Sequence, residues 1–111
     1  MTAITRKRGD TYGETVTVTD TAGAAINITG YTFKLTVDPE KAPLTADNNL
    51  FSITGTILSP TAGTVEFAPS PTQADQAPGT YYYDIQLIDG AGRIRTIALD
   101  KWVVVQDITK T

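Results

Sequence analysis

Twelve carboxylates and nine cationic side chains carry nearly all the charge chemistry open to this 111-residue sequence, which holds neither histidine nor cysteine. The missing histidine removes the commonest general base and the commonest transition-metal ligand. The missing cysteine removes disulfides, thiolate catalysis and cysteine zinc sites together. What remains is carboxylate chemistry. Asp38, Glu40 and Asp47 share one long loop, while Asp89 and Asp100 lie near a later hairpin. Oxygen ligands of this kind suit calcium, but none has the spacing of an EF-hand, and solvated loop carboxylates are the simpler reading. Whether the acidic loop 38–47 holds a cation stays open. Two carboxylates across a cleft can cleave a glycoside, yet nothing in the spacing selects a pair, and short loops leave little room for a cleft. The expectation is no catalytic, cofactor-binding or metal residues, and no enzyme.

Three other signals carry a bland and a sharp meaning. Arg8-Gly9-Asp10 spells the integrin-binding tripeptide, but a charged edge ending in a turn explains it as well. Asn27-Ile28-Thr29 fits the glycosylation sequon, and also a plain strand end. Arg6, Lys7 and Arg8, joined by Arg93 and Arg95, could make a basic patch, but no aromatics interleave with them to stack on bases. With a net charge of −3, nothing recruits nucleic acid or an anionic membrane globally. The three basic residues suit protection of an exposed edge strand, with docking to an acidic partner second. Tyr82 and the single tryptophan, Trp102, are core fillers or contact anchors; exposed together, they would make a sugar-stacking platform.

The elements that position these groups are strands. Apolar and polar residues alternate at period two in short runs rich in Thr, Val, Ile and Tyr. Residues 3–8 read as an edge strand, and 14–19 as a strand with Val16 and Val18 inward. Ile26 and Ile28 mark a short return strand. In 31–38, Tyr31, Phe33, Leu35 and Val37 face one way and Asp38 the other. Residues 50–58 form a strand with a bulge or bend at Gly55, followed by an inward pair, Val65 and Phe67. Ser70 caps one or two helical turns near 70–76, with Pro71 at the first position. The strongest signal is 79–105, where Tyr81, Tyr83, Ile85 and Leu87 share a face and Asp89-Gly90-Ala91-Gly92 makes a hairpin turn. Ile97 and Leu99 have odd parity while Trp102 and Val104 have even, so a bulge is predicted at Asp100-Lys101. Seven or eight short strands without an amphipathic helix predict one all-β domain over 1–111, an antiparallel sandwich. No apolar run reaches the ~20 residues needed to span a bilayer, and the start lacks a signal-peptide core, so synthesis in a cytosol is expected.

These pieces stand in a familiar order. Arg8-Gly9-Asp10-Thr11 precedes the Thr-Val-Thr-Val-Thr strand at 15–19. The turn at 20–23 and the segment 26–30 (Ile-Asn-Ile-Thr-Gly) precede the strand at 31–35. Then come 63–67 (Gly-Thr-Val-Glu-Phe), 71–74 (Pro-Thr-Gln-Ala), 79–85 (Gly-Thr-Tyr-Tyr-Tyr-Asp-Ile) and 89–96 (Asp-Gly-Ala-Gly-Arg-Ile-Arg-Thr), with a Val-rich last strand ending in 107–109. In this ordered set the chain resembles the immunoglobulin-like domains of tailed-phage structural proteins. In particular it resembles the N-terminal domain of upper baseplate proteins and small tail or prophage proteins like it. The family's glycine before the last strand is replaced by Asp100-Lys101. The resemblance implies an immunoglobulin-like sandwich that acts by protein–protein docking as a structural module of a phage or prophage tail. It implies other virion proteins as partners, homo-oligomers in the assembled particle, and a place in the virion tail after synthesis in the bacterial host cytoplasm. No nucleic-acid or membrane partner is expected. The alternative is a carbohydrate-binding or adhesion sandwich.

Overall fold

A computed structural model describes residues 3–40 and 49–106, and the period-two segments there resolve into eight strands and one helical turn. In chain order they are β1 (Ile4–Lys7), β2 (Glu14–Thr17), β3 (Thr32–Asp38), β4 (Phe51–Thr54), β5 (Thr56–Ser59), β6 (Thr64–Phe67), α1 (Pro71–Ala74), β7 (Gly79–Ile88) and β8 (Ile94–Val105). One sheet has the order β1-β8-β7-β3-β4, the other β2-β6-β5. The fold is the all-β immunoglobulin-like sandwich expected. All pairings are antiparallel except one, in which β1 runs parallel to the end of β8.

The inward faces are those given by parity. Val16, Phe33, Leu35, Val37, Ile53, Val65, Phe67, Tyr83, Ile85 and Leu87 are all buried in one cluster, joined by Trp102 and Val104. Burial at about 25 cal/mol per Å² of apolar surface is the main force closing the two sheets. Gly55 is the hinge between them: β4 lies in the large sheet and β5 in the small one, with the break at that glycine. A Cβ there would come within 2.7 Å of Val65, 2.8 Å of Phe33 and 2.9 Å of Phe67. Gly55→Ala is therefore expected to lower stability by about 1–3 kcal/mol, the usual range for overpacking, as read by urea denaturation.

The helical turn closes as the sequence suggests. Ser70 accepts a bond from the Gln73 N–H at 3.2 Å, and the Gln73 side chain accepts from the Ser70 N–H at 2.9 Å. That capping box satisfies two N–H groups otherwise left open at a helix start. Gln73 also donates to the Ser52 carbonyl, which ties the turn to β4.

Four expectations need correction. Residues 26–28 form no strand. A single bridge joins Thr19 and Ala25, and Ile28 is buried because its N–H bonds the Pro60 carbonyl across the sandwich end. The bulge in β8 is not at Asp100-Lys101. The register shifts where Ile85 pairs with Ala98 and Gln86 with Thr96, leaving Ile97 as the extra residue. The parity reset therefore falls earlier: Ala98 turns inward against Ile85, Trp102 and Val104 follow, and Leu99 points out, 55% exposed. Asp38 is buried rather than outward, since its carboxylate accepts from the Glu40 N–H and the Asn49 side chain at the strand end. The fourth correction, Arg6, belongs to the site.

Candidate functional site

Arg6 sits at the centre of a buried polar arrangement. Its neighbour Ile4 faces inward from β1, and period two carries Arg6 to the same side. The side chain is 3% exposed. One guanidinium nitrogen donates to Glu14 Oε1 at 2.9 Å, and another to the carbonyls of Asp10 at 2.9 Å and Tyr12 at 2.6 Å. The guanidinium carbon lies 3.8 Å from the Tyr12 ring centre and 5.7 Å from that of Trp102. Trp102 meets Phe51 and Tyr83 edge-on, at 5.9 and 6.2 Å. Stacking, a charge pair and two carbonyls together compensate the desolvation of a buried cation. The arrangement clamps the β1–β2 crossover to the large sheet. It is a structural clasp: Arg6 belongs to no exposed basic patch.

Several other candidates are also tied up. Arg8 pairs with Asp75 at 2.8 Å, and the Gly9 N–H bonds the Ala74 carbonyl, so the Arg8-Gly9-Asp10 tripeptide packs on α1. Asn27 Oδ1 accepts from both the N–H and the hydroxyl of Thr29, a local turn around buried Ile28. Asp100 accepts from the Lys101 N–H. Asp47 lies outside the described residues, as does most of the acidic loop. No group of three metal-binding side chains occurs among the described residues. Trp102 is interior and Tyr82 is half-buried on the outer face of the large sheet, so the two do not share a surface.

Asp89 organises the β7–β8 turn. Oδ1 accepts from the N–H groups of Ala91 and Arg93, and Oδ2 from the Arg93 guanidinium at 2.9 Å. The Arg93 backbone N–H, chief among these donors, holds the Asp89 carboxyl below its ordinary range against a smaller opposing effect of desolvation. A lowered native pKa stabilises above the unfolded value, and that stabilisation is lost as pH falls through the native one. The protection of the Ala91 and Arg93 amides, taken as exchange rate relative to an unstructured chain at the same pH, should accordingly be present near neutrality and be lost in acid, and Asp89→Ala should remove it at every pH. Protection that is indifferent to acid would contradict this. Tyr83 shifts the other way. Burial, and then the charges of Asp100 and Glu14, push its phenol up to about 12.

A groove of about 830 Å³ runs between β2 and the start of β8, floored by Val16, Val18, Ile26, Tyr31 and Leu87 and rimmed by Arg93 and Arg95. Asp89 is the single carboxylate in its lining, already committed to the turn. No carboxylate pair faces across this groove. The sequence allows a basic patch of Arg6, Lys7 and Arg8 with Arg93 and Arg95, but gives no sign of the groove, which depends on where β1 ends against β8.

No protein-family model matches the chain, and no curated protein matches it in sequence. The fold and contacts define a β-sandwich in which Arg6, Arg8 and Arg93 each pair with a carboxylate of the same chain. No helix among the described residues is long and apolar enough to cross a membrane.

Proposed function

We propose that the chain is a non-enzymatic structural and assembly module of a phage or prophage tail, of the baseplate type, which works by docking its surfaces to other virion proteins. The reading rests on the ordered set of motifs from Arg8-Gly9-Asp10-Thr11 to 89–96. The commitment of Arg6, Arg8, Asp38 and Asp89 to structural bonds supports it, since it leaves these groups little chemistry to perform. Homo-oligomers in a symmetric particle follow from such a role. The carbohydrate-binding alternative asks for Trp102 and Tyr82 on one exposed surface, and Trp102 is buried. Electron microscopy of lysates from the producing strain, with and without the gene, tests the proposal. Complete tails are expected only with the gene. Normal tails in its absence would refute the role.

A further inference from the structure

The strand β8 is bonded on both sides for only part of its length. On one side β7 covers it from Ile94 to Val104; on the other β1 reaches only from Trp102 to Val105. Residues 94–101 thus have no strand on their second side among the described residues. In an antiparallel ladder, every second residue turns its N–H and C=O away from the partner. The Asp89 N–H bonds the Arg93 carbonyl, which sets the alternation, so Ile94 and Thr96 present their peptide groups to the open side. Past the Ile97 bulge the Arg8 N–H bonds the Val105 carbonyl, so the odd residues face β1, and Leu99 and Lys101 continue that edge. The Lys101 N–H is already capped by Asp100 at 2.8 Å. Ile94, Thr96 and Leu99 have no such cap among the described residues.

Exposed edges are usually blunted by charge and bulges. The bulge at Ile97 is present, yet Ile94 is 66% and Leu99 55% exposed on this edge, with Ile88 at 41% beside Ile94. Directly behind the edge lies the groove, whose apolar floor and about 830 Å³ fall within the ~300–1,000 Å³ of ligand clefts. Arg95 rims it without an acidic partner among the described residues, whereas Arg93 has Asp89. Charge also selects the occupant. Two copies joined edge to edge through β8 would set two cations from each open stretch, Arg95 and Lys101, against a single carboxylate, Asp100, which already caps the Lys101 N–H, and like charges across a ladder destabilise it.

We infer that the open edge of β8 receives an extended, acidic segment of a different protein. That segment adds as a strand to the large sheet, with one alternate set of side chains, apolar, beside Ile94 and Leu99 on the outer face and the other set bringing a carboxylate to Arg95 at the groove. Main-chain bonds supply the affinity, and these apolar contacts and Arg95 supply the selection. The inference deepens the assembly reading and rests on it for the partner's being another tail protein.

The test is a nuclear magnetic resonance titration of the isotope-labelled full chain with an end-blocked peptide of alternating valine and glutamate. A length of about eight residues matches 94–101 at ~3.4 Å per residue. A valine–lysine peptide of equal length is the control. Saturable shifts centred on the Ile94, Thr96 and Leu99 amides are expected with the acidic peptide and not with the basic one. Thr96→Pro removes an edge N–H at a position where proline is tolerated, and should weaken binding about tenfold or more. Arg95→Glu leaves the backbone intact and should transfer the preference to the lysine peptide. Absence of saturable shifts, shifts centred on another face, or equal binding of both peptides would overturn the inference. Should it fail while the chain still enters tails, assembly uses a different surface. Edge binding in a chain that enters no tail would instead uphold the edge and remove the assembly role.

Discussion

Replacing Arg6 by alanine is expected to destabilise the protein by about 3–5 kcal/mol, the range found when one member of a buried charge pair is removed. Three acceptors lose their donor at once: Glu14 Oε1 and the carbonyls of Asp10 and Tyr12. Glu14 is 27% exposed and can recover water, but the two carbonyls belong to the crossover that carries the chain from one sheet to the other. The Tyr12 and Trp102 rings lose the cation between them as well. A loss of this size is a large part of the ~5–15 kcal/mol that holds a domain together, and should lower the melting temperature by roughly 15 °C or more. Arg6→Lys should recover only part of it, because an ammonium lacks the planar fork that reaches the carboxylate and both carbonyls. Glu14→Gln, which keeps an acceptor and removes the charge, should cost less than Arg6→Ala. Calorimetric melting of the three variants checks the order. A melting temperature for Arg6→Ala within a few degrees of wild type would mean that the clasp contributes nothing.

The second large effect is expected at Gly63, in the turn between β5 and β6. Its backbone has φ +69, and a Cβ there would lie 2.7 Å from the Val18 carbonyl oxygen and 2.8 Å from that of Ile26. Backbone oxygens cannot swing aside as a side-chain end can. The Gly63 carbonyl also accepts from the Val18 N–H at 2.8 Å, so any shift loosens the continuation of β2. Gly63→Ala therefore combines the ~1–2 kcal/mol of a left-handed conformation with the ~1–3 kcal/mol of overpacking. Gly23 provides the comparison. It has φ +85, and a methyl group added there would meet nothing within 4 Å, so Gly23→Ala carries the conformational cost alone. Urea denaturation of the pair should show Gly63→Ala the more destabilised by about the overpacking increment. Equal losses would mean that the turn relaxes freely around the added methyl.

Strand faces are legible wherever a run has one wet side. Phe33, Leu35 and Val37, or Tyr83, Ile85 and Leu87, announce their burial by alternation, and Gly55 and Ser70-Pro71 announce a break and a cap through local chemistry. What stayed hidden depends on distant partners. Ile28 is buried through a bond to Pro60 in another turn. The bulge can be deduced from the parity conflict between Leu99 and Trp102, but its position at Ile97 depends on small Ala98 fitting opposite Ile85. Arg6 is the instructive case. Its charge suggested an exposed edge, although the parity of Ile4 already placed it inside, and the acceptors that make burial tolerable lie beyond a turn. The groove was illegible for the same reason, since it exists only because β1 covers part of β8 and then leaves for the other sheet.

The most direct test of the assembly role is quantitative mass spectrometry of density-gradient-purified tail particles from the producing strain. The role predicts that the chain co-sediments with tail proteins at a fixed whole-number ratio per particle. A chain found only in the soluble fraction, or at a ratio that varies between preparations, would contradict it.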